Sequence, residues 1–259
     1  MKKTLMTLLV ILLTVALFVG CGEAQPDVTT ATTQPTTETT APSESQTTEE
    51  PTEEPTAETE MDYYANAYAE QIERYHTALA EQWDEGAYIQ NEMSALAMHY
   101  YEGTALENVG YTFIDLDNNG VRELIIGAIL NAEEDPAVLE LWTLKDEVPT
   151  MLAQGSSRNR YYLQYDAEVD LWSLANEAES SATNHAVYFL QIYEGELNIT
   201  QGIIYDAAAN EENPWFMTYD LDWDVSNDTP TDEEMANAVI DTGRFIYIAV
   251  DYIPYSQYQ

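Results

Sequence analysis

The chain of 259 residues carries 47 acidic side chains against eight basic ones, a formal net charge of −39. Binding phosphate needs a basic face, so nucleic acid is excluded as a partner and anionic headgroups are disfavoured. Its single cysteine, Cys21, excludes an intramolecular disulfide, so the fold must rest on its apolar core.

Met1-Lys2-Lys3 is a short basic start, and residues 5–19 are an apolar run broken only by Thr7 and Thr14. Gly20 then precedes the thiol, which completes the basic, apolar, small order of a secretory signal. The run is shorter than the roughly 20 residues that span a bilayer. Leu17-Phe18-Val19-Gly20-Cys21 resembles the lipobox of bacterial lipoproteins, with Phe18 bulkier than usual for that box. The resemblance implies that residues 1–20 are a removed signal peptide and that Cys21 is lipidated. Cys21 then anchors the chain to the lipid membrane, on the outer face of the cytoplasmic membrane. An uncleaved anchor would leave the remainder outside the cytoplasm just the same.

Residues 22–60 are Thr, Glu, Pro, Ser and Gln, with Val28 the only aliphatic beyond alanine and Glu-Glu-Pro-Thr repeated at 49–52 and 53–56. Such a segment buries too little surface to offset its ordering entropy. With Cys21 it reads as a disordered stalk over residues 21–60, able to reach about 130 Å at ~3.4 Å per residue. Residues 61–259 fit one globular domain. Loss of Lys2 and Lys3 with the signal leaves six basic residues against 47 acidic ones, a charge of −41. Cations, basic surfaces and neutral ligands remain as partners.

Tyr64, Tyr68, Ile72, Tyr75, Leu79 and Trp83 recur at steps of four and three, one face of an amphipathic helix. Gly86 interrupts it, and Ile89, Met93, Leu96 and Tyr100 continue the spacing to Gly103, which predicts a kinked helix or helical pair over 62–101. His76 and His99 lie here without a partner at metal-binding spacing. The period then changes to strands at 111–114, 124–130, 138–144, 150–153, 161–165, 169–175, 186–193 and 198–205. Short turns such as Lys145-Asp146-Glu147 and Glu194-Gly195-Glu196 separate them, which favours an antiparallel meander. Thr231 with Glu234 reads as a capping box opening a helix to Thr242-Gly243, and 245–253 as a final strand. The fold class is α+β: an antiparallel sheet meander with N-terminal amphipathic helices and a C-terminal helix packed on one face.

One loop carries chemistry. Asp115-Leu116-Asp117-Asn118-Asn119-Gly120-Val121-Arg122-Glu123 offers oxygens from Asp115, Asp117, Asn119, the Val121 carbonyl and Glu123 at positions 1, 3, 5, 7 and 9. Gly120 permits a sharp turn, and Ca2+ wants six to eight such oxygens around one point. Position 12 is Ile126 rather than the EF-hand glutamate, so this is not an EF-hand. A hairpin turning at Asn119-Gly120, with Asp115 and Asp117 bonded to backbone amides, would explain the same residues without an ion. Arg122 could fold back to neutralise part of the cluster.

In its strand-loop-strand setting the loop resembles the Asp-x-Asp-x-Asp-Gly loops of integrin-type propellers, here with Asn119 as the third residue. It occurs once, which excludes a propeller. The anchor, the Thr/Glu stalk, Glu107-Asn108-Val109-Gly110-Tyr111, Leu141-Trp142-Thr143-Leu144-Lys145-Asp146 and Arg158-Asn159-Arg160-Tyr161-Tyr162 resemble a group of surface lipoproteins of Gram-positive bacteria. Those motifs carry no known activity, so the resemblance implies fold and location alone.

No nucleophile elbow or phosphate-cradling loop appears, so no catalytic residue is named. Arg158 and Arg160 suit either an internal salt-bridge hub or an anion site. Three functions stay open: a lipid-anchored binding domain for an extracellular glycan or protein, stabilised by calcium; a glycan hydrolase using paired carboxylates; and an assembly protein docking through an apolar face. Nineteen tyrosines and five tryptophans suit sugar stacking if they stand exposed in a row, and a core if they do not.

Overall fold

A computed structural model describes residues 57–129, 137–243 and 247–258. The signal, Cys21 and the stalk up to residue 56 lie outside the described residues. So do 130–136 and 244–246. The described residues all fall within one compact unit.

The helical part is α1 (Ala57–Ala67), α2 (Ala69–Glu81), α3 (Glu85–Gln90), a 3-10 turn (Ala95–Tyr100) and α4 (Ala105–Asn108). Helix α1 starts at Ala57, so residues 57–60, read as stalk, are helical. Most of the expected apolar face is buried, Tyr64, Tyr68, Ile72, Tyr75 and Leu79 being each at most 5% exposed, but Trp83 is only partly covered and Ile89 is 65% exposed. The break falls at Gln82, not Gly86. Gln82 adopts a left-handed conformation (φ 51°) and Trp83 N–H returns to the Ala78 carbonyl at 3.0 Å. Asp84 then caps α3 by accepting from Ala87 N–H at 2.8 Å, which leaves Gly86 inside a helix. No continuous helix follows α3, because Glu92 turns to positive φ. Buried Ser94 hooks the chain to the Gly155 carbonyl at 2.7 Å.

Eleven strands form one antiparallel sheet among the described residues. They are β1 (Val109–Ile114), β2 (Glu123–Ala128), β3 (Ala137–Lys145), β4 (Val148–Gln154), β5 (Asn159–Asp166), β6 (Leu171–Ser181), β7 (Asn184–Tyr193), β8 (Glu196–Asp206), β9 (Trp215–Thr218), β10 (Thr229–Pro230) and β11 (Ile253–Pro254). The order β10-β9-β8-β7-β6-β5-β3-β2-β1-β11 is a meander, except that β4 and β5 share one edge of β3. Residues 140–145 pair with β4, and 137–138 pair with β5. Both expected turns form with two central residues at positive φ, Asp146-Glu147 and Glu194-Gly195, the twist that suits a tight hairpin. The sheet curls until these turns meet, with Lys145 Nζ 3.0 Å from Glu196 Oε1.

Alternation splits the core across the sheet. Leu124, Ile126 and Leu139 join the helical tyrosines. Ile125, Val138, Leu141, Leu163, Leu174, Leu190 and Ile204 form a second cluster among themselves.

The end of the chain differs from expectation. Among the described residues of 245–253 there is a single bridge, Tyr247 to Gln164, and the two-residue β11 begins only at Ile253. Apolar content alone does not make a strand there: β1 pairs only with Ile253 and Pro254, through Tyr111 and Gly110. Helix α5 (Glu233–Gly243) forms as expected, but its cap is Asp232, which accepts from Met235 N–H at 2.8 Å. Thr231 N–H is committed to the Trp215 carbonyl. Strand β9 escaped the sequence pattern because it is only four residues long.

Candidate metal centre

The acidic loop joins β1 to β2, whose last pair is Ile114 with Glu123. It is not the tight Asn119-Gly120 hairpin: positive φ falls at Asn118 and Gly120, with Asn119 outside that region. The chain instead wraps around Asp115. Asp115 Oδ1 accepts from Asn119 N–H at 3.1 Å and Oδ2 from Gly120 N–H at 2.9 Å. Leu116, 2% exposed, plugs into the second core cluster and fixes the loop from below. On the other side, the Tyr64 hydroxyl donates to the Gly120 carbonyl at 3.1 Å and that of Tyr68 to the Arg122 carbonyl at 2.9 Å.

This wrapping brings Asp115, Asp117 and Glu123 together, with one oxygen of each within 4.8 Å of the others. Glu123 is fully buried. Its Oε2 accepts from Leu116 N–H at 2.9 Å and its Oε1 from the Thr143 hydroxyl at 2.8 Å. Burial lifts its carboxyl from 4.5 to about 7; those two bonds oppose the rise, and Asp117 and Asp115 add to it. Asp117 is also held above the ordinary range, chiefly by burial, with repulsion from Asp115. Its Oδ1 is enclosed without a hydrogen-bond partner.

Of the five expected ligands, then, three converge. Asn119 turns its side-chain oxygen to Val121 N–H at 2.6 Å, and Val121 packs at the edge of the helical core. Arg122 does not fold back over the carboxylates but pairs with Glu60 at 2.9 Å. Among the described residues the ion pairs are this one and Lys145–Glu196, so no carboxylate of the trio is ion-paired, although the charge of Asp115 is among those that raise Arg122. The remaining ligand oxygens a hard cation would need are within the chain's means: a carboxylate oxygen that accepts one hydrogen bond keeps a second lone pair.

A second buried carboxylate, Glu140, was not singled out from the sequence. It is 1% exposed and accepts from Ser94 N–H (2.9 Å), Trp142 Nε1 (2.9 Å) and Gln154 Nε2 (3.3 Å). Burial raises it too, against those bonds and one from Tyr75. Its donors are complete, so Glu140 ties the helices to β3 rather than awaiting a ligand. The signal was a lone charge within Val138-Leu139-Glu140-Leu141-Trp142.

Arg158 and Arg160 form no salt-bridge hub among the described residues; they donate to the Ser180 and Ser157 carbonyls, each at 3.4 Å. The tryptophans make no exposed row, since Trp142 is buried and Trp83, Trp172, Trp215 and Trp223 are partly so. No helix among the described residues is long and apolar enough to cross a membrane. No family model, curated protein or solved structure matches the chain.

Proposed function

We propose that the β1–β2 loop is a calcium site that stabilises a lipid-anchored binding domain displayed outside the cell. The observation that carries the site is the convergence of Asp115 and Asp117 on Glu123, a fully buried carboxylate without an ion pair. A carboxylate cluster with one fully buried member favours a counter-charge, and three carboxylates offer the hard oxygens Ca2+ prefers. Asn119, the Val121 carbonyl and water would complete the shell. An extracellular-type affinity on the order of 10⁻⁴ to 10⁻³ M suits so small a charge count.

The location rests on the Cys21 lipobox and on the likeness to Gram-positive surface lipoproteins. The ligand of the binding domain would be an extracellular glycan or protein, because the charge disfavours phosphate-rich partners. We further read the helices as one layer over one sheet face. Its support is the register Ala137–Tyr162–Ala175–Phe189, which shares the face of Leu139 and contacts Val239 and Ile240 of α5.

Calcium titration of the full chain tests the site. An ion at about tenfold its Kd stabilises by roughly 1.4 kcal/mol, so millimolar Ca2+ should raise Tm and Mg2+ should do so less. Asp117→Ala should abolish the response. A flat titration at millimolar Ca2+ would refute the site.

A further inference from the structure

The sheet face that carries the second core cluster is interrupted by amides. Asn159 and Asn176 stand on neighbouring strands, on the face of Leu163, Leu174 and Ala178. Register aligns Tyr161 of β5, Asn176 of β6 and Tyr188 of β7 in one row across this face. Asn176 is only 4% exposed. Its Nδ2 donates to Asn159 Oδ1 at 2.7 Å and to the Arg160 carbonyl at 3.1 Å, which fixes the orientation of the amide. Among the described residues nothing donates to its Oδ1, and that atom is not sealed in as the Tyr188 hydroxyl is. A buried acceptor left open in this way calls for a partner.

Tyr161, Asn176 and Tyr188 line a cavity of about 400 Å3, to which the loop between β9 and β10 contributes Trp223. Small-ligand sites run from about 300 to 1,000 Å3. The Tyr188 ring lies against Gly202, where a Cβ would come 2.6 Å from its Cδ1, and its centroid is 6.3 Å from that of Trp223, edge-on. Beside these rings stand polar groups with unused capacity. The Tyr161 hydroxyl accepts from Asn159 Nδ2 at 3.3 Å and donates to nothing among the described residues. Arg158 and Glu179 line the cavity as well. The Arg158 guanidinium donates to the Ser180 carbonyl at a long 3.4 Å. Neither Arg158 nor Glu179 is ion-paired among the described residues, although the charge of Glu179 acts on His185.

We propose that this cavity binds a pyranose residue of a neutral glycan. The inference rests on the reading of the chain as a binding domain and gives that domain its ligand subsite. A pyranose has an apolar face of C–H groups and a rim of hydroxyls that both donate and accept. Trp223 and the tyrosine rings suit the face. Asn176 Oδ1 and the Glu179 carboxylate accept from the rim, while Arg158 and the Tyr161 hydroxyl donate to it. The lining holds one cation and one anion, which favours an uncharged ligand over a uronic or phosphorylated sugar. Water alone would satisfy the polar groups but leave the aromatic wall wet.

Saturation-transfer NMR on the full chain, in a detergent without a sugar headgroup, tests this. The probes are trisaccharides of glucose, galactose, mannose and N-acetylglucosamine at millimolar concentration. At least one should bind, with its ring C–H protons receiving the transfer. Trp223→Ala should weaken that binding about tenfold. Tyr161→Phe keeps the ring and should weaken it about fivefold. Arg158→Gln should also weaken it, and Arg158 is exposed, so this substitution does not threaten the fold. Trp172→Phe, outside the cavity, should leave binding unchanged. A trisaccharide bound equally by the wild type and the three cavity variants overturns this subsite but keeps a glycan-binding domain. No transfer to any sugar of the panel overturns it too. So does binding confined to an immobilised peptide library and lost with Trp223→Ala. The calcium response of the β1–β2 loop should be the same in every cavity variant, so that site stands or falls separately.

Discussion

Replacing Glu123 with glutamine isolates the electrostatic cost of the buried carboxylate. The folded chain lifts this acid from 4.5 to about 7. At about 1.4 kcal/mol per pH unit, the rise amounts to about 3 kcal/mol. A raised carboxyl favours the protonated folded state. Stability contributed by Glu123 is therefore fully present below about 4.5, lost as pH rises to about 7, and level above that. Glutamine keeps both bonds, accepting from Leu116 N–H and donating to a rotated Thr143 hydroxyl, but carries no charge. Denaturant unfolding in excess EGTA, at pH steps from 4.5 to 8, gives the difference between variant and wild type. That difference cancels the other carboxylates, which both proteins share. Glu123→Gln should gain about 3 kcal/mol over the wild type across this window, on the order of 10 °C in Tm, and should not respond to calcium. Parallel pH profiles for the two proteins would refute the reasoning, because a solvated or ion-paired Glu123 would show no such difference.

Tyr68→Phe keeps the ring stacked on Phe113 but removes the hydroxyl from the Arg122 and Trp142 carbonyls. Thermal unfolding should show a loss of about 1–2 kcal/mol, and a neutral result would mean those carbonyls have other partners. Gly110→Ala should cost about 1–3 kcal/mol, since its Cβ would lie 2.6 Å from the Ile253 carbonyl oxygen. Faster amide exchange at 253–255 would accompany that loss if β11 is displaced. Cys21→Ala should abolish fatty-acid labelling and release the protein from the membrane fraction; labelled, membrane-bound Cys21→Ala protein would sink the lipobox reading.

The parts legible in the sequence are those where local pattern and tertiary demand agree. Tyr64 to Leu79 announced a buried face through spacing alone, and Asp146-Glu147 and Glu194-Gly195 marked turns that formed. Asp115, Asp117 and Glu123 were legible because loop position fixes which oxygens face inward. Asn119 and Val121 were not shown to join them, since Asn119 also satisfies a nearby amide, a choice that composition does not reveal. Asp232 is the cap one residue beyond Thr231, accepting from Met235 N–H, while Thr231 N–H bonds to the Trp215 carbonyl; spacing alone does not separate two adjacent capping residues. Residues 245–253 have strand composition, but pairing depends on a free edge, and that is a property of the whole sheet.

The order of the strands has a kinetic consequence. From β1 to β10 almost every strand pairs with a neighbour in sequence, so the sheet can zip hairpin by hairpin at low loop-closure cost as the chain emerges. Ile253–Pro254 is the exception, since its partners Gly110 and Tyr111 appear far earlier. Behind it, Tyr255 is wholly enclosed, stacked on Tyr75 and tilted against Tyr111. Closing the aromatic pocket under the helices therefore depends on contacts between residues far apart in the chain, the kind of contact whose loop-closure cost is met late.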